Sequence, residues 1–171
     1  MVGEQGSLGG SHMKHVLRVV AIGVLAVVGV VAAQAQSDPI VGTWKLNTTK
    51  SKYSPGVVPK SLTRTVTADG DSLKYSFEGV AADGSAIAYG FTAKLDGKAV
   101  PVTGSIPSGA DSISAIQKDA HHYTATLKKG DKVVGTSKVA ISADGKVATV
   151  DVSGVTATGA KEHDVQVYDK Q

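Results

Sequence analysis

From about residue 61 to residue 169, apolar side chains alternate with polar ones in short runs, and turn-forming pairs interrupt the runs at short intervals. Leu73, Tyr75 and Phe77 take one side of such a run, and Lys74, Ser76 and Glu78 take the other. Ile87, Tyr89 and Phe91 alternate with Ala88, Gly90 and Thr92 in the same way, as do Tyr123, Ala125 and Leu127 with His122, Thr124 and Thr126. Successive side chains of an extended strand point to opposite faces. A period of two with one polar face therefore describes a sheet buried on one side and wet on the other. Near the end of the chain, Val165 and Val167 oppose Gln166 and Tyr168. That alternation turns Tyr168 outward unless the two valines face out themselves. No stretch after residue 36 keeps a helical period over three turns.

Asp69-Gly70, Asp83-Gly84, Asp96-Gly97, Lys129-Gly130, Asp144-Gly145 and Thr158-Gly159 fall between the alternating runs. Such pairs suit tight hairpin turns, because glycine adopts positive φ freely. The spacing predicts strands near 41–48, 61–68, 71–79, 86–95, 98–103, 111–117, 121–129, 132–142, 146–153 and 162–169, joined mostly as consecutive hairpins. Only Thr49–Lys60 and Gly104–Ala110 are long connections, and both contain proline and glycine. Pro101 removes a ladder donor from its strand and places that strand at an edge, rim or gap. The expected fold is all-β: a single antiparallel up-and-down β-barrel of eight to ten strands over roughly residues 40–170, with the first and last strands adjacent. Closure removes exposed edges and needs only hairpin links. A β-sandwich is the alternative, but its Greek keys require long connections.

The beginning of the chain has a different character. Residues 1–12 read as an expression leader, since Gly10-Ser11-His12-Met13 resembles a cloning scar. Lys14, His15 and Arg18 then precede an apolar run, Val19 to Val31, and a small-x-small site at Ala33-Gln34-Ala35. This is the pattern of a secretory signal peptide over residues 13–35, cleaved after Ala35. The run is shorter than the roughly 20 residues of a membrane span, so none is expected after cleavage. Residues 36–171 would be one secreted or periplasmic domain.

Composition narrows the function. The chain has no cysteine, which excludes disulfides, thiolate nucleophiles, thiolate metal sites and a lipid-anchoring cysteine. Aromatic residues make up only 5% of the sequence against 42% hydrophobic overall, so Val, Ala, Ile and Leu must build most of the core. The net charge of +3 is spread over scattered lysines, giving no patch for nucleic acid. No nucleophile elbow, phosphate loop or metalloprotease helix occurs, so neither an enzyme nor a cofactor is expected. His121 and His122 are adjacent and would face opposite ways on a strand, and His163 is distant, so no metal site is expected. Asp69-Gly70-Asp71 is too short for a calcium loop and reads as a turn.

Gly42-Thr43-Trp44-Lys45-Leu46 resembles the first strand of the calycin superfamily, which includes lipocalins and fatty-acid-binding proteins. Val165-Gln166-Val167-Tyr168-Asp169-Lys170 is similar to the closing strand of fatty-acid-binding proteins, and the whole run resembles small secreted bacterial lipocalin-like proteins of unassigned function. The resemblance implies a ligand-binding barrel whose closed end is plugged by Trp44, with Gly42 as a structural partner. It also shows departures. Gln166 stands where fatty-acid-binding proteins carry an arginine that holds the ligand carboxylate, and Thr48–Lys60 is too short and proline-rich for their helical lid.

The candidate ligand contacts are Arg64, Tyr75, Tyr89, Phe91, Tyr123 and Tyr168. Arg64 shares an alternating face with Leu62 and Val66, while Thr63, Thr65 and Thr67 take the other. An inward guanidinium would need a carboxylate, a carbonyl or a ligand anion, because its desolvation is costly. At a strand end it would instead pair on the surface. The rings of Tyr75, Tyr89, Phe91 and Tyr123 fall on inner faces, where they either line a cavity or fill a core. Small residues beside them, Ala93, Gly135 and Ser137, leave room for a cavity. Two functions follow: a barrel that binds a small apolar or amphipathic molecule inside, or a filled barrel whose surface loops bind another macromolecule.

Overall fold

Gly70, Gly84, Gly97, Gly130, Gly145 and Gly159, the glycines of the six turn pairs, all have positive φ, between 57° and 96°. In the computed structural model, which describes residues 38–171, these turns separate antiparallel strands. The strands are β1 (Gly42–Leu46), β2 (Ser61–Asp69), β3 (Ser72–Val80), β4 (Ala86–Ala93), β5 (Asp96–Pro101), β6 (Thr103–Gly104), β7 (Ser112–Gln117), β8 (His122–Lys129), β9 (Lys132–Ile141), β10 (Val147–Val155) and β11 (Lys161–Lys170). The expected leader and signal peptide lie outside the described residues. Among the described residues no helix is long and apolar enough to cross a membrane.

The sheet runs β5-β7-β8-β9-β10-β11-β1-β2-β3-β4-β6, a meander in which the last strand returns to the first. Trp44 faces Lys170 and Leu46 faces Tyr168 across the β1–β11 join. The two ends of the sheet, β5 and β6, are consecutive in the chain. β5 pairs with β7, and β6 pairs with β4 through Tyr89–Gly104 and Gly90–Thr103. One interrupted segment thus bridges the seam between β4 and β7, leaving a nearly closed all-β barrel.

The strand count is eleven, above the eight to ten expected. Pro101 ends β5 at the seam, Val102 leaves the ladder, and the chain rejoins on the opposite side for two residues. Gly104 makes that second pairing, with φ at 77°, and a side chain there would collide with the Ala88 carbonyl oxygen. The ladder between β5 and β7 also slips between Asp96 and Ala99.

One end of the barrel is closed by packing. Trp44, Ile40, Val66 and Tyr168 are its most deeply buried large side chains. The Trp44 Nε1–H donates to the Ile40 carbonyl at 2.8 Å, and the Lys170 ammonium donates to the Pro39 carbonyl at 2.9 Å. The segment before β1 then reaches β7 and β8, where Gln117 and Tyr123 donate to the Asp38 carboxylate. Because β8 lies four strands from β1 around the barrel, this segment caps the end.

The other end is bordered by the two long connections. Residues 47–60 form no helix. They follow β11 beyond the point where β1 stops, with Lys52 and Val165 exchanging backbone hydrogen bonds at 2.8 Å. His163 N–H donates to the Ser54 carbonyl at 2.6 Å, and Ser54 N–H donates to Asp164 Oδ1 at 3.0 Å.

On β11 the apolar and polar faces are exchanged relative to the pattern in the sequence. Tyr168 is 1% exposed, and Asp164 is buried on the same side, while Val165 and Val167 are only half-buried. The register decides this. Tyr168 sits opposite Leu46 on one side and Ala148 on the other, and both neighbours are core residues. Alternation from Tyr168 then carries Gln166, Asp164 and Glu162 to the inside.

Candidate functional site

The barrel encloses a cavity of about 180 Å³, and Arg64, Tyr75, Tyr89, Phe91, Tyr123 and Tyr168 all line it. Five strands contribute these six residues: β2, β3, β4, β8 and β11. Small inner residues make the space, since Ala115, Ala125 and Ser137 also face the cavity.

One wall is a ladder of rings on β3 and β4. Tyr75 and Phe91 are cross-strand partners with centroids 4.5 Å apart and planes at 17°. Phe77 and Tyr89 form the next pair, 4.4 Å apart at 10°. Each stacked pair adds about 0.5–1.5 kcal/mol beyond its buried area. Burial pushes the Tyr75 hydroxyl up to about 12, against the opposing pull of Arg64. It raises the Tyr89 hydroxyl further still, so both phenols are neutral donors.

Arg64 stands between the floor and the cavity. Its neighbours in register are Trp44 on β1 and Phe77 on β3. It is 3% exposed, and its guanidinium carbon is 5.4 Å from the Trp44 ring centroid and 5.2 Å from that of Tyr168. No carboxylate pairs with it among the described residues, and its Nε and Nη2 are buried without a hydrogen-bond partner. Desolvation lowers its pKa, and the surrounding tyrosines pull the other way. An arginine remains charged even so. Most buried polar groups are satisfied, so two free donors on one buried cation mark a site where an acceptor is missing.

The other sequence candidates differ in how their polar atoms are used. Tyr168 is inside, not outside as its neighbours in the sequence implied. Its hydroxyl donates to Gln166 Oε1 at 2.8 Å and is pushed up to about 12, chiefly by burial. Tyr123 gives its ring to the cavity, but its hydroxyl donates to Asp38, with the Ala120 carbonyl oxygen 3.1 Å away, and so belongs to the cap. Burial and that bond raise its pKa. Trp44 does not line the cavity; it lies beneath Arg64 as the floor, fully buried. Gly42 has φ at 138°, and a side chain there would meet Lys170 Cε at 2.7 Å. That position needs glycine so that Lys170 can cross the Trp44 ring, 4.9 Å from its centroid.

The lining residues missed at the sequence level include Tyr53, Glu162, Asp164 and Gln166. Tyr53 comes from the long connection after β1, and its hydroxyl is buried without a partner. Glu162 and Asp164 lie near the start of β11, and burial raises the pKa of both carboxyls. The register set by Tyr168 opposite Leu46 is the signal that could have found the three β11 residues. Among the described residues, no group of three or more His, Cys, Asp or Glu side chains is gathered to hold a metal ion.

No protein-family model matches this sequence, and no curated protein sequence matches it. Among solved structures, the barrel is similar to zebrafish ileal bile acid-binding protein complexed with cholic acid, at 13% identity and a TM-score of 0.49, over 78% of this chain and 99% of that one. It is also similar to a redesigned β-barrel bound to DFHBI, at 12% identity and a TM-score of 0.43, over 77% and 95% of the two chains. Lobster apocrustacyanin A1 is similar at 13% identity and a TM-score of 0.41, over 80% of this chain and 63% of that one.

Proposed function

We propose that residues 36–171 form an exported barrel that binds a small amphipathic molecule inside, with the acidic group of the ligand at Arg64 and its apolar part against the ring ladder. The observation that carries this reading is the pair of unpartnered donors on a buried guanidinium at a cavity wall. Guanidinium donors recognise carboxylates, sulfonates and phosphates through paired charge-assisted bonds. The filled-barrel alternative is disfavoured by the cavity of about 180 Å³. For comparison, an engineered apolar cavity of about 150 Å³ accepts benzene. Export rests on the signal-peptide pattern at residues 13–35, and no bond-making chemistry is assigned to the site.

The reading is tested by titrating the purified barrel with the amphipathic anion anilinonaphthalene sulfonate and displacing it with decanoic acid. Saturable one-to-one binding, lost on Arg64→Met while the near-ultraviolet dichroism is kept, is the expected result. Absence of saturable binding to the folded protein overturns it. Export is tested by mass spectrometry of the extracytoplasmic fraction, which should find Gln36 at the N-terminus.

A further inference from the structure

The cavity carries charge of both signs at separate depths. Arg64 sits next to Tyr168 above the Trp44 floor. Asp164 is four residues nearer the open end along β11, roughly 13 Å of extended strand, and Glu162 is two residues further. Both carboxyl side chains line the cavity. Neither forms a salt bridge among the described residues. The adjacent His163 is exposed and directed elsewhere, with its Nε2 3.0 Å from Asp151 Oδ2. Asp164 accepts the Ser54 N–H through Oδ1 at 3.0 Å, and the neutral Gln166 amide beside it brings no opposite charge. The apolar ladder Tyr75–Phe91 and Phe77–Tyr89 lines the same cavity.

A site for a simple acid needs no acidic residues inside it, since they repel the ligand on its way to Arg64. Two inward carboxylates also cost desolvation in the empty barrel. Both features are explained by a ligand with a second, oppositely charged group. We propose that the ligand is dipolar: an acidic group at the Arg64 guanidinium, a cationic amine between Glu162 and Asp164, and an apolar spacer along the ring ladder. This deepens the amphipathic-ligand reading and rests on it. Each end of the ligand satisfies a charge that the protein leaves unpaired, and the separation of the charges selects the length of the spacer.

The test is calorimetric titration with ω-aminoundecanoic acid, undecanoic acid and undecylamine. Wild-type protein is expected to bind the amino acid about tenfold more tightly than undecanoic acid, the yield of one charge-assisted contact. In the Glu162→Gln/Asp164→Asn variant that preference disappears while undecanoic acid still binds. Glu162→Gln alone, at a half-buried position, reduces the preference and serves if the double variant does not fold. Equal or tighter binding of undecanoic acid to wild type overturns the dipolar ligand and leaves the anion site standing. Failure of all three compounds to bind folded wild type overturns the parent reading as well.

Discussion

Arg64 lies directly across from Trp44 in the β1–β2 register, with its guanidinium carbon 5.4 Å from the indole centroid. Tyr168 brings a second ring to 5.2 Å. Two aromatic contacts thus do part of what a carboxylate does in a buried ion pair. Contacts of this kind contribute about 0.5–2 kcal/mol each, which falls short of the desolvation cost of a buried charge. They also leave Nε and Nη2 without a hydrogen-bond partner among the described residues. These donors therefore remain available to an acceptor in the cavity, and the ligand-free barrel bears an energetic cost at the point where it would bind.

That cost predicts the effect of Arg64→Met. Removing one partner of a buried salt bridge typically costs several kcal/mol, but among the described residues Arg64 has no such partner. Methionine fills similar space against the rings and buries no unsatisfied donor. The variant is expected to be more stable than the parent by about 1–3 kcal/mol, the penalty of an unmade buried hydrogen bond. It should lose affinity for an amphipathic anion at the same time. Urea unfolding and dye titration on one preparation check both. A loss of stability of several kcal/mol would show that Arg64 holds the barrel together.

Ser137 lines the cavity and offers a way to fill it without touching Arg64. Ser137→Leu adds apolar volume where the barrel has space, so stability should change by no more than about 1 kcal/mol. Binding should weaken at least as much as when Arg64 is replaced, because the spacer loses its room. Thermal melting and titration separate the two effects. Unimpaired ligand binding would place the site elsewhere.

Much of this arrangement is legible in the residues. Asp-Gly turn pairs and period-two runs mark the strands, because glycine geometry and one-sided burial leave local traces. Arg64 is readable as an inner residue because Leu62 and Val66 flank it on the same face. The polar row of β11 is not readable that way. Local pattern puts the valines inside, whereas non-local contacts with Leu46 and Ala148 put Tyr168 there. Tyr53 lies in a connection without periodicity, and its burial depends on Lys52 and Ser54 pairing with a strand more than a hundred residues away. β6 rests on two residues, too few to form a pattern.

Trp44 is the sole tryptophan and is completely buried, with its indole N–H bonded to Ile40. Trp44→Ala removes the floor beneath Arg64 and leaves the Lys170 ammonium without its ring. The expected cost is about 3–5 kcal/mol, the range for deleting a buried large aromatic. Chemical denaturation followed by far-ultraviolet dichroism measures it. A cost below about 1 kcal/mol, the scale of an ordinary surface substitution, would mean that the barrel closes without the plug.

The carboxyl of Asp164 gives a prediction in pH. Burial raises its pKa, outweighing the Ser54 N–H bond, the nearby His163 and Gln166. A carboxyl whose folded pKa lies above its unfolded value binds more protons in the folded state. Its contribution is therefore fully present below the ordinary aspartate range and is lost as pH rises through the folded value. Asp164→Asn keeps an oxygen for the Ser54 N–H but carries no charge. The variant should be more stable than the parent at neutral pH, and the gap should close as pH falls toward the ordinary aspartate range. Asp71, Asp83, Asp96, Asp119 and Asp144 shift the opposite way, held low chiefly by side-chain and backbone hydrogen bonds. Those aspartates weaken both proteins equally in acid, so they cancel in the comparison. Urea midpoints for the two proteins, measured from neutral pH down into the carboxylate range, provide the check. A gap that is constant with pH would show that Asp164 is already solvated at the mouth, and one that widens in acid would show that its ionised form is held by a partner.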